Sequence, residues 1–469
     1  MSDIRNASRK SASASTRRAA ADGATDLATV DSDGARGASH GSTPQDDDRP
    51  PLRGLSDYDY TNFYFGAGTD PFGILEPFGE WWKDAEFGAG YYLYGLPLGS
   101  APATRVEIED PKTRENLEGL INFASYNYLG LSYRPEVIEA ICDAVRKYGA
   151  GASGSPVLSG TTDLHKRLAN EVASFKGKEA ALIFPTGYSA NVGLIAGLMR
   201  PGDLVVADKL AHASVVDGMI LSKATSRFFK HNNAADLDRK LNGFSGKKLV
   251  VVEGVYSMDG DVADLPAIVD VCRKHGARLL IDEAHSTFVY GPNGRGVAEH
   301  FGLDDEVDIH LGTFSKSLGG LGGFVAGPAE LIYYLRGFAR SRVFSCALPP
   351  PVTAGLLKAL EIARSEPELR ERLWDNARYM HALMREAGVD VGDSTSQVIS
   401  IMIRDDAGIF QIAEDLLHAG VYINPVRFPA VGKHKSRFRM SISASHTRAE
   451  LKEGAEIIVS ILKKYGKCP

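Results

Sequence analysis

Along the middle of the chain, short apolar runs alternate with stretches in which apolar residues recur every three or four positions. The runs EAALIFPTG, GDLVVADK, KKLVVVEGVY, ARLLIDEAH and DIHLGTFSK each end in polar or small residues. RPEVIEAICDAVRKYG and LPAIVDVCRKHG have helical spacing and close on glycine. Strand, helix, strand, helix predicts an α/β fold with a mainly parallel sheet, since near-continuous apolar strands need cover on both faces. In such sheets ligands gather at the carboxyl ends of the strands, so the polar residues there are the candidates for chemistry. From about Pro349 the pattern changes to helices with a few strands (SQVISIMIR, GVYINPV, RFRMSIS), which predicts a small C-terminal α+β domain.

Two segments precede this body. Residues 1–51 are rich in Ser, Ala, Asp, Gly and Arg and nearly free of large apolar side chains. Such a segment buries too little surface to offset its ordering entropy, so a disordered tail is expected. Its start, RNASRKSASASTRRAA, also has a transit-peptide composition, but without the apolar face of an amphipathic helix. Residues 52–115 are aromatic-rich, with YDYTNFYFG, PFGEWWKDAEFG and YYLYG. They are read as a segment packed on the main body. The alternative is an apolar lip for a greasy substrate or a carrier, with Trp81 and Trp82 as its test residues. The expected division is then a large domain over 116–348 and a small one over 349–469.

A chain of 469 residues, 44% of them hydrophobic, is ample for a large core. Its net charge of −6 argues against a nucleic-acid binder, which usually carries a basic footprint. Cys142, Cys272, Cys346 and Cys468 lack metal-ligand or redox spacing, so no metal site and free thiols in a reducing cytoplasm are expected. No stretch approaches the ~18 apolar residues that span a bilayer. Peripheral membrane contact stays open. Gly149-x-Gly151-x-x-Gly154 spells a dinucleotide fingerprint, but it follows a helical segment and no helix opens at its third glycine. A flexible loop is expected there instead.

The strand-end residues carry more. Asp282 closes one run, with His285 three residues on. Thr313 and Lys316 sit in a Gly/Ser-rich loop. Glu253, Ser257 and Asp259 follow another run, His212 follows a fourth, and Thr186-Gly187-Tyr188-Ser189 join a strand to a helix. A single lysine in such a loop is ordinarily a solvated charge, and a single strand-end aspartate a turn residue. Together they meet one known need. A pyridoxal phosphate enzyme requires a lysine for the Schiff base and a carboxylate on the pyridinium nitrogen. It also uses N–H donors at a helix start for the phosphate.

The motifs SYNYLGL, PTGYSANVG, DKLAHAS, EGVYSMDGD, IDEAHSTFVYGPNGRG and TFSKSLGG occur in that order between about Ile121 and His446. On them the chain resembles the α-oxoamine synthases, pyridoxal phosphate enzymes of the aspartate-aminotransferase fold (fold type I). The resemblance implies that Lys316 is the Schiff-base lysine and later the acid/base at Cα. It implies that Asp282 pairs with the ring nitrogen, His285 with the phenolic oxygen, and that His212 stacks on the ring. N–H groups near Gly187 and Tyr188, with Thr313, would hold the phosphate, and Ser257 would lie beside the ring. Arg439 resembles the arginine that clamps the amino-acid carboxylate; a sheet-edge salt bridge is its plain alternative. The family's sites are shared in a homodimer, and Ser345 matches a position that reaches the neighbour's phosphate.

The implied reaction is a decarboxylating Claisen condensation of an amino acid with an acyl thioester, giving a 2-amino ketone. Many members that use glycine or alanine carry Asn-Asp or Asn-Asn before YLG. Here Tyr126-Asn127 stand there, and SYNYLG resembles the serine palmitoyltransferase branch. That favours serine, or alanine, with a long-chain acyl donor, on coenzyme A or on an acyl carrier protein. Arg427 falls near a position that reads the acyl end in some relatives. A charge there suits an acyl carboxylate or a coenzyme A phosphate, as KHKSR nearby does the latter, and a solvated loop is an equal alternative. Pro156 departs from the family's common Gly-Ser-Arg sequence. The rival readings are a glycine- or alanine-using synthase (8-amino-7-oxononanoate synthase-like, or polyketide-releasing), another fold-type I enzyme such as an aminotransferase, and a non-catalytic partner subunit.

Overall fold

The computed structural model describes residues 69–81, 83 and 93–469. The expected tail, Trp82 and much of the aromatic segment lie outside the described residues. Trp81 is described: it ends the helix Leu75–Trp81, is buried, and its ring lies 5.7 Å from that of Phe78.

In chain order the strands are β1 (Arg105–Glu109), β2 (Asn116–Asn122), β3 (Ala180–Phe184), β4 (Leu204–Asp208), β5 (Thr225–Phe229), β6 (Lys248–Glu253), β7 (Arg278–Asp282), β8 (Ile309–Thr313), β9 (Gly323–Gly327), β10 (Val398–Met402), β11 (Val421–Tyr422), β12 (Asn424–Val426) and β13 (Arg437–Ser441). A seven-stranded sheet has the order β3-β9-β8-β7-β6-β4-β5, parallel except for β9, which runs against both neighbours. Side chains alternate between its two faces. Leu204, Val206, Val250, Val252, Leu279 and Ile281 join one core, while Val205, Ala207, Leu249, Val251 and Leu280 join the other. This two-sided burial is why these runs read as unbroken apolar segments.

The helices on one face are Asp163–Lys176 and Leu265–His275; on the other they are Gly187–Leu198, Ala213–Ser222 and Ala329–Phe338. Leu265–His275 starts with proline in its first turn and ends at Gly276 in the left-handed conformation, with Arg273, Lys274 and His275 opposing the dipole at its C-terminus. The Gly149 stretch is loop, as expected: the helix Pro135–Tyr148 stops at Gly149 and the next begins at Asp163.

Two small sheets complete the body. β10 and β12 flank β13 in one; β2 joins antiparallel β1 to parallel β11 in the other. Strands near residue 120 and residue 421 therefore share a layer, and the N-terminal strands lie with C-terminal ones. This arrangement delivers Tyr126 and Arg439 to the carboxyl edge of the large sheet, where Asp208, Glu253, Asp282 and Thr313 end their strands.

Candidate active site

Asp282 is buried at the end of β7. Its Oδ1 accepts from Ala284 N at 2.9 Å, and its Oδ2 accepts from Asn191 Nδ2 at 2.7 Å. Asn191 lies on the buried face of the helix Gly187–Leu198 and also donates to Ser214 Oγ at 3.0 Å. Its own Oδ1 is buried without a partner. The carboxylate is thus held in one orientation from both sides.

Lys316 lies on the turn after β8, and its side chain makes no hydrogen bond or ion pair among the described residues. Its Nζ is 5.9 Å from the centre of the Tyr126 ring. Burial pushes its pKa below the ordinary lysine range, against the opposing pull of Asp282 and Glu253. A lysine held this way is partly neutral near physiological pH, the state a nucleophile or base needs. Glu253 closes β6, paired in register with Asp282, and its pKa is pushed up by burial and by that neighbouring charge.

His212 caps the helix Ala213–Ser222, with Nδ1 2.7 Å from Ser214 Oγ, and its backbone N donates to Glu253 Oε1 at 2.6 Å. Its ring is exposed, yet desolvation in the cleft and the Lys316 charge hold it below the ordinary histidine range, against Asp282. His285 is buried, and burial followed by the Lys316 and His212 charges keeps it neutral.

Gly187 opens its helix under the cap of Thr186, whose side chain accepts from Ser189 N. The first intrahelical bond is Ala190 N to Thr186 O, so the N–H groups of Gly187 and Tyr188 precede it and point out of the helix start. The approach is close. A Cβ on Gly187 would lie 3.0 Å from Thr313 Cβ, and one on Gly323 would lie 2.7 Å from Gly187 N. Only glycine lets this cradle form between helix, Thr313 and β9.

Arg439 lies on β13, the middle strand of its sheet, opposite Ser400 and Asn424. It has no carboxylate partner among the described residues, so the sheet-edge salt bridge is not what forms. Instead its guanidinium stacks 4.5 Å from the Tyr126 ring centre and bonds to the Tyr126 hydroxyl. Its Nε is buried with no partner, and burial pushes its pKa down to about 10. A buried cation with a spare donor calls for an anion. Because a lysine cannot reproduce the planar fork, Arg439→Lys is expected to raise KM for the amino acid by about 10-fold or more, on the scale of one charge-assisted hydrogen bond. Steady-state kinetics checks this; an unchanged KM contradicts the clamp.

Ser345, Ser257 and Arg427 make no hydrogen bond to this cluster among the described residues. Ser345 Oγ donates to Ser341 O at 2.7 Å within the same chain. Ser257 is half-buried and supplies no hydrogen bond to the cluster. Arg427 is half-buried rather than solvated: its guanidinium stacks 4.5 Å from the Phe410 ring centre and its Nε lacks a partner. Pro156 lines a separate cavity of about 340 Å³ with Lys166, Arg336 and Arg342, so cations stand there although position 156 supplies none.

A charged clamp braces the loop that carries Ser257. His231 bonds Asp208 through Nδ1 at 3.0 Å and Asp261 through Nε2 at 2.8 Å. On the other side, Arg437 Nη1 donates to Asp259 Oδ1 at 2.6 Å and Met258 O at 3.0 Å. Burial alone would depress the His231 pKa, but the two carboxylates push it up to about 10. A folded value above the unfolded ~6.5 means stabilisation that is complete below that pH and lost as pH rises through about 10. Melting temperature should therefore fall more between pH 7 and pH 10.5 in the parent than in His231→Gln. Equal falls contradict the clamp.

Asn191, Tyr128 and His231 escape a reading of the sequence. A lone amide inside the apolar helix GYSANVGLIAGL is the one signal that could have marked Asn191.

The donor set fits pyridoxal phosphate. A fixed carboxylate suits a ring nitrogen, an unpaired lysine suits an aldehyde carbon, and free helix-start N–H groups suit a phosphate. The unpartnered Arg439 Nε suits the carboxylate of an amino acid carried with it.

Comparison with known proteins agrees. Residues 118–458 match the family model described as aminotransferase class I and II. The chain is 41% identical to a serine palmitoyltransferase from Sphingobacterium spiritivorum, over 80% of this chain and 93% of that one. It is 40% identical to an 8-amino-7-oxononanoate synthase from Symbiobacterium thermophilum, over 80% and 97%. A solved structure described as SPT with PLP internal aldimine superposes with a TM-score of 0.80 at 34% identity, covering 85% of this chain and 100% of that one.

Proposed function

From the premise that this chain belongs to the aminotransferase class I and II family, and within it to the pyridoxal phosphate-dependent α-oxoamine synthases, we propose that it condenses serine with a long-chain acyl thioester. The observation that carries the amino-acid half is the buried, unpartnered Arg439 Nε beside Tyr126. Serine is supported by Tyr126 itself and by a cavity of about 260 Å³ beside it. That cavity is lined by Ser125, Asn127, Ser132 and Ser315, polar groups that suit a hydroxymethyl substituent. The identity to 8-amino-7-oxononanoate synthase supports a second reading, a synthase for glycine or alanine with a shorter acyl group.

The bound cofactor supplies the electron sink that makes the amino acid's Cα–H acidic. The chain's residues do the rest. Helix-start N–H groups at Gly187 and Tyr188, with Thr313, would hold the phosphate. Asp282, aligned by Asn191, would hold a proton at the ring nitrogen. His212 would cover the ring. Arg439 would bind the substrate carboxylate, and Lys316 would remove the Cα proton and later return one. The acyl thioester's carbonyl carbon then bonds to Cα, the thiol leaves, and CO₂ follows.

We place two chains in the working enzyme. Tyr188, Tyr333, Phe338 and Phe344 are exposed on or beside the helices next to Ser345, apolar surface that a second chain would cover. Sedimentation should give twice 50.5 kDa; a single-chain mass contradicts the shared site.

The substrate reading is tested by titrating the holoenzyme with serine, alanine and glycine while recording the visible spectrum of the cofactor. Serine is expected to perturb it at the lowest concentration. A response confined to glycine or alanine selects the second reading.

A further inference from the structure

We propose that Tyr128 is a positioning residue that fixes the tautomer of His285, placing the imidazole proton on Nε2 as the hydrogen-bond donor to the cofactor's phenolic oxygen. This rests on the assignment of His285 to that oxygen.

Tyr128 is among the largest fully buried side chains of the protein. Its hydroxyl lies 2.7 Å from His285 Nδ1. The hydroxyl proton needs an acceptor. Gln397 and Ser441 also face the hydroxyl, but neither Gln397 Oε1 nor Ser441 Oγ stands in hydrogen-bond geometry with it, so the 2.7 Å contact directs the proton to Nδ1. The imidazole is neutral, because burial and the neighbouring Lys316 and His212 charges oppose a second proton. A neutral ring carries one N–H. With Nδ1 accepting, that proton is on Nε2, which has no protein partner among the described residues.

The surroundings hold this geometry. Gln397 Nε2 donates to the His285 carbonyl at 2.7 Å, so the histidine backbone is pinned from the same side. Ala444 N donates to Tyr128 O at 2.7 Å, tying the tyrosine to the segment after β13. Tyr126, two residues earlier, stacks on Arg439. One short segment thus addresses the substrate clamp through one tyrosine and the cofactor's partner through the other. A phenylalanine at position 128 keeps the ring and removes only the hydroxyl. Nδ1 then loses its donor, and nothing holds the proton on Nε2.

The test compares three holoenzymes, the parent, Tyr128→Phe and His285→Asn, by the pH midpoint of the visible band of the lysine-bound cofactor. A donor to the phenolic oxygen lowers that midpoint, so its loss should raise it by about one pH unit, the scale of one charge-assisted hydrogen bond. Upward shifts in both variants support the proposal. A shift in His285→Asn alone overturns it and leaves the His285 assignment standing. A shift in Tyr128→Phe alone also overturns it, since the tyrosine then acts by another route. No shift in either removes the His285 assignment, and the proposal with it. If Tyr128→Phe does not fold, ¹⁵N-histidine spectra of the parent decide, with the His285 signals identified by their loss in His285→Asn. Protonation at Nε2 is expected, and a proton on Nδ1 overturns the proposal.

Discussion

Lys316→Ala should abolish the visible band of the lysine-bound cofactor and lower turnover by at least about 10³-fold, since it removes both a covalent partner and a general acid/base. The fold should survive. The Lys316 side chain makes no hydrogen bond or ion pair among the described residues, and its burial opposes its charge, so its removal relieves a cost and breaks no polar bond. The melting temperature of the cofactor-free variant should equal or exceed that of the parent. Absorbance and product assay check the first part, and a scan of the cofactor-free chains checks the second. A normal cofactor band in the variant contradicts the assignment of Lys316.

Asp282→Asn should lower turnover by about 10²- to 10⁴-fold with the fold intact, the range a positioned proton-holding group supplies. An amide cannot hold a proton on the ring nitrogen as a carboxylate does. The new amide keeps one oxygen and gains a donor, and Asn191 has a buried, unpartnered Oδ1 that can turn to accept from it. Ala284 N can still donate to the remaining oxygen. Hydrogen bonding at the strand end is therefore retained while the charge is lost. Turnover measured beside a melting curve separates the two effects, and near-normal turnover contradicts the role of Asp282.

The large sheet was legible because its strands are buried on both faces. β4, β6, β7 and β8 each coincide with an apolar run in the sequence. β5 was not, because it is an edge strand whose residues Thr225, Ser226 and Phe228 are exposed. β9 was not anticipated either. Its Gly323 is what lets it pass against Gly187, and its antiparallel direction leaves no mark in the pattern of apolar positions. In the site, residues at strand ends could be found because their position follows from the strand. Residues that act through a partner could not. Asn191 meets Asp282 across 91 positions, and Tyr128 meets His285 across 157. Such pairings are set by how helix and loop close over the sheet edge. Arg439 could be recognised by resemblance, but its stacking on Tyr126 needed the small sheets to bring the two together.

The account stands on a decarboxylating condensation that starts from serine. The most direct measurement is the product mass from fully ¹³C-labelled serine and a long-chain acyl-coenzyme A, with released CO₂ collected. The predicted result is a 2-amino ketone that retains two labelled carbons, with the third in CO₂ and one free thiol per product. Product formed only from alanine or glycine, or thiol release without a ketone, would contradict it.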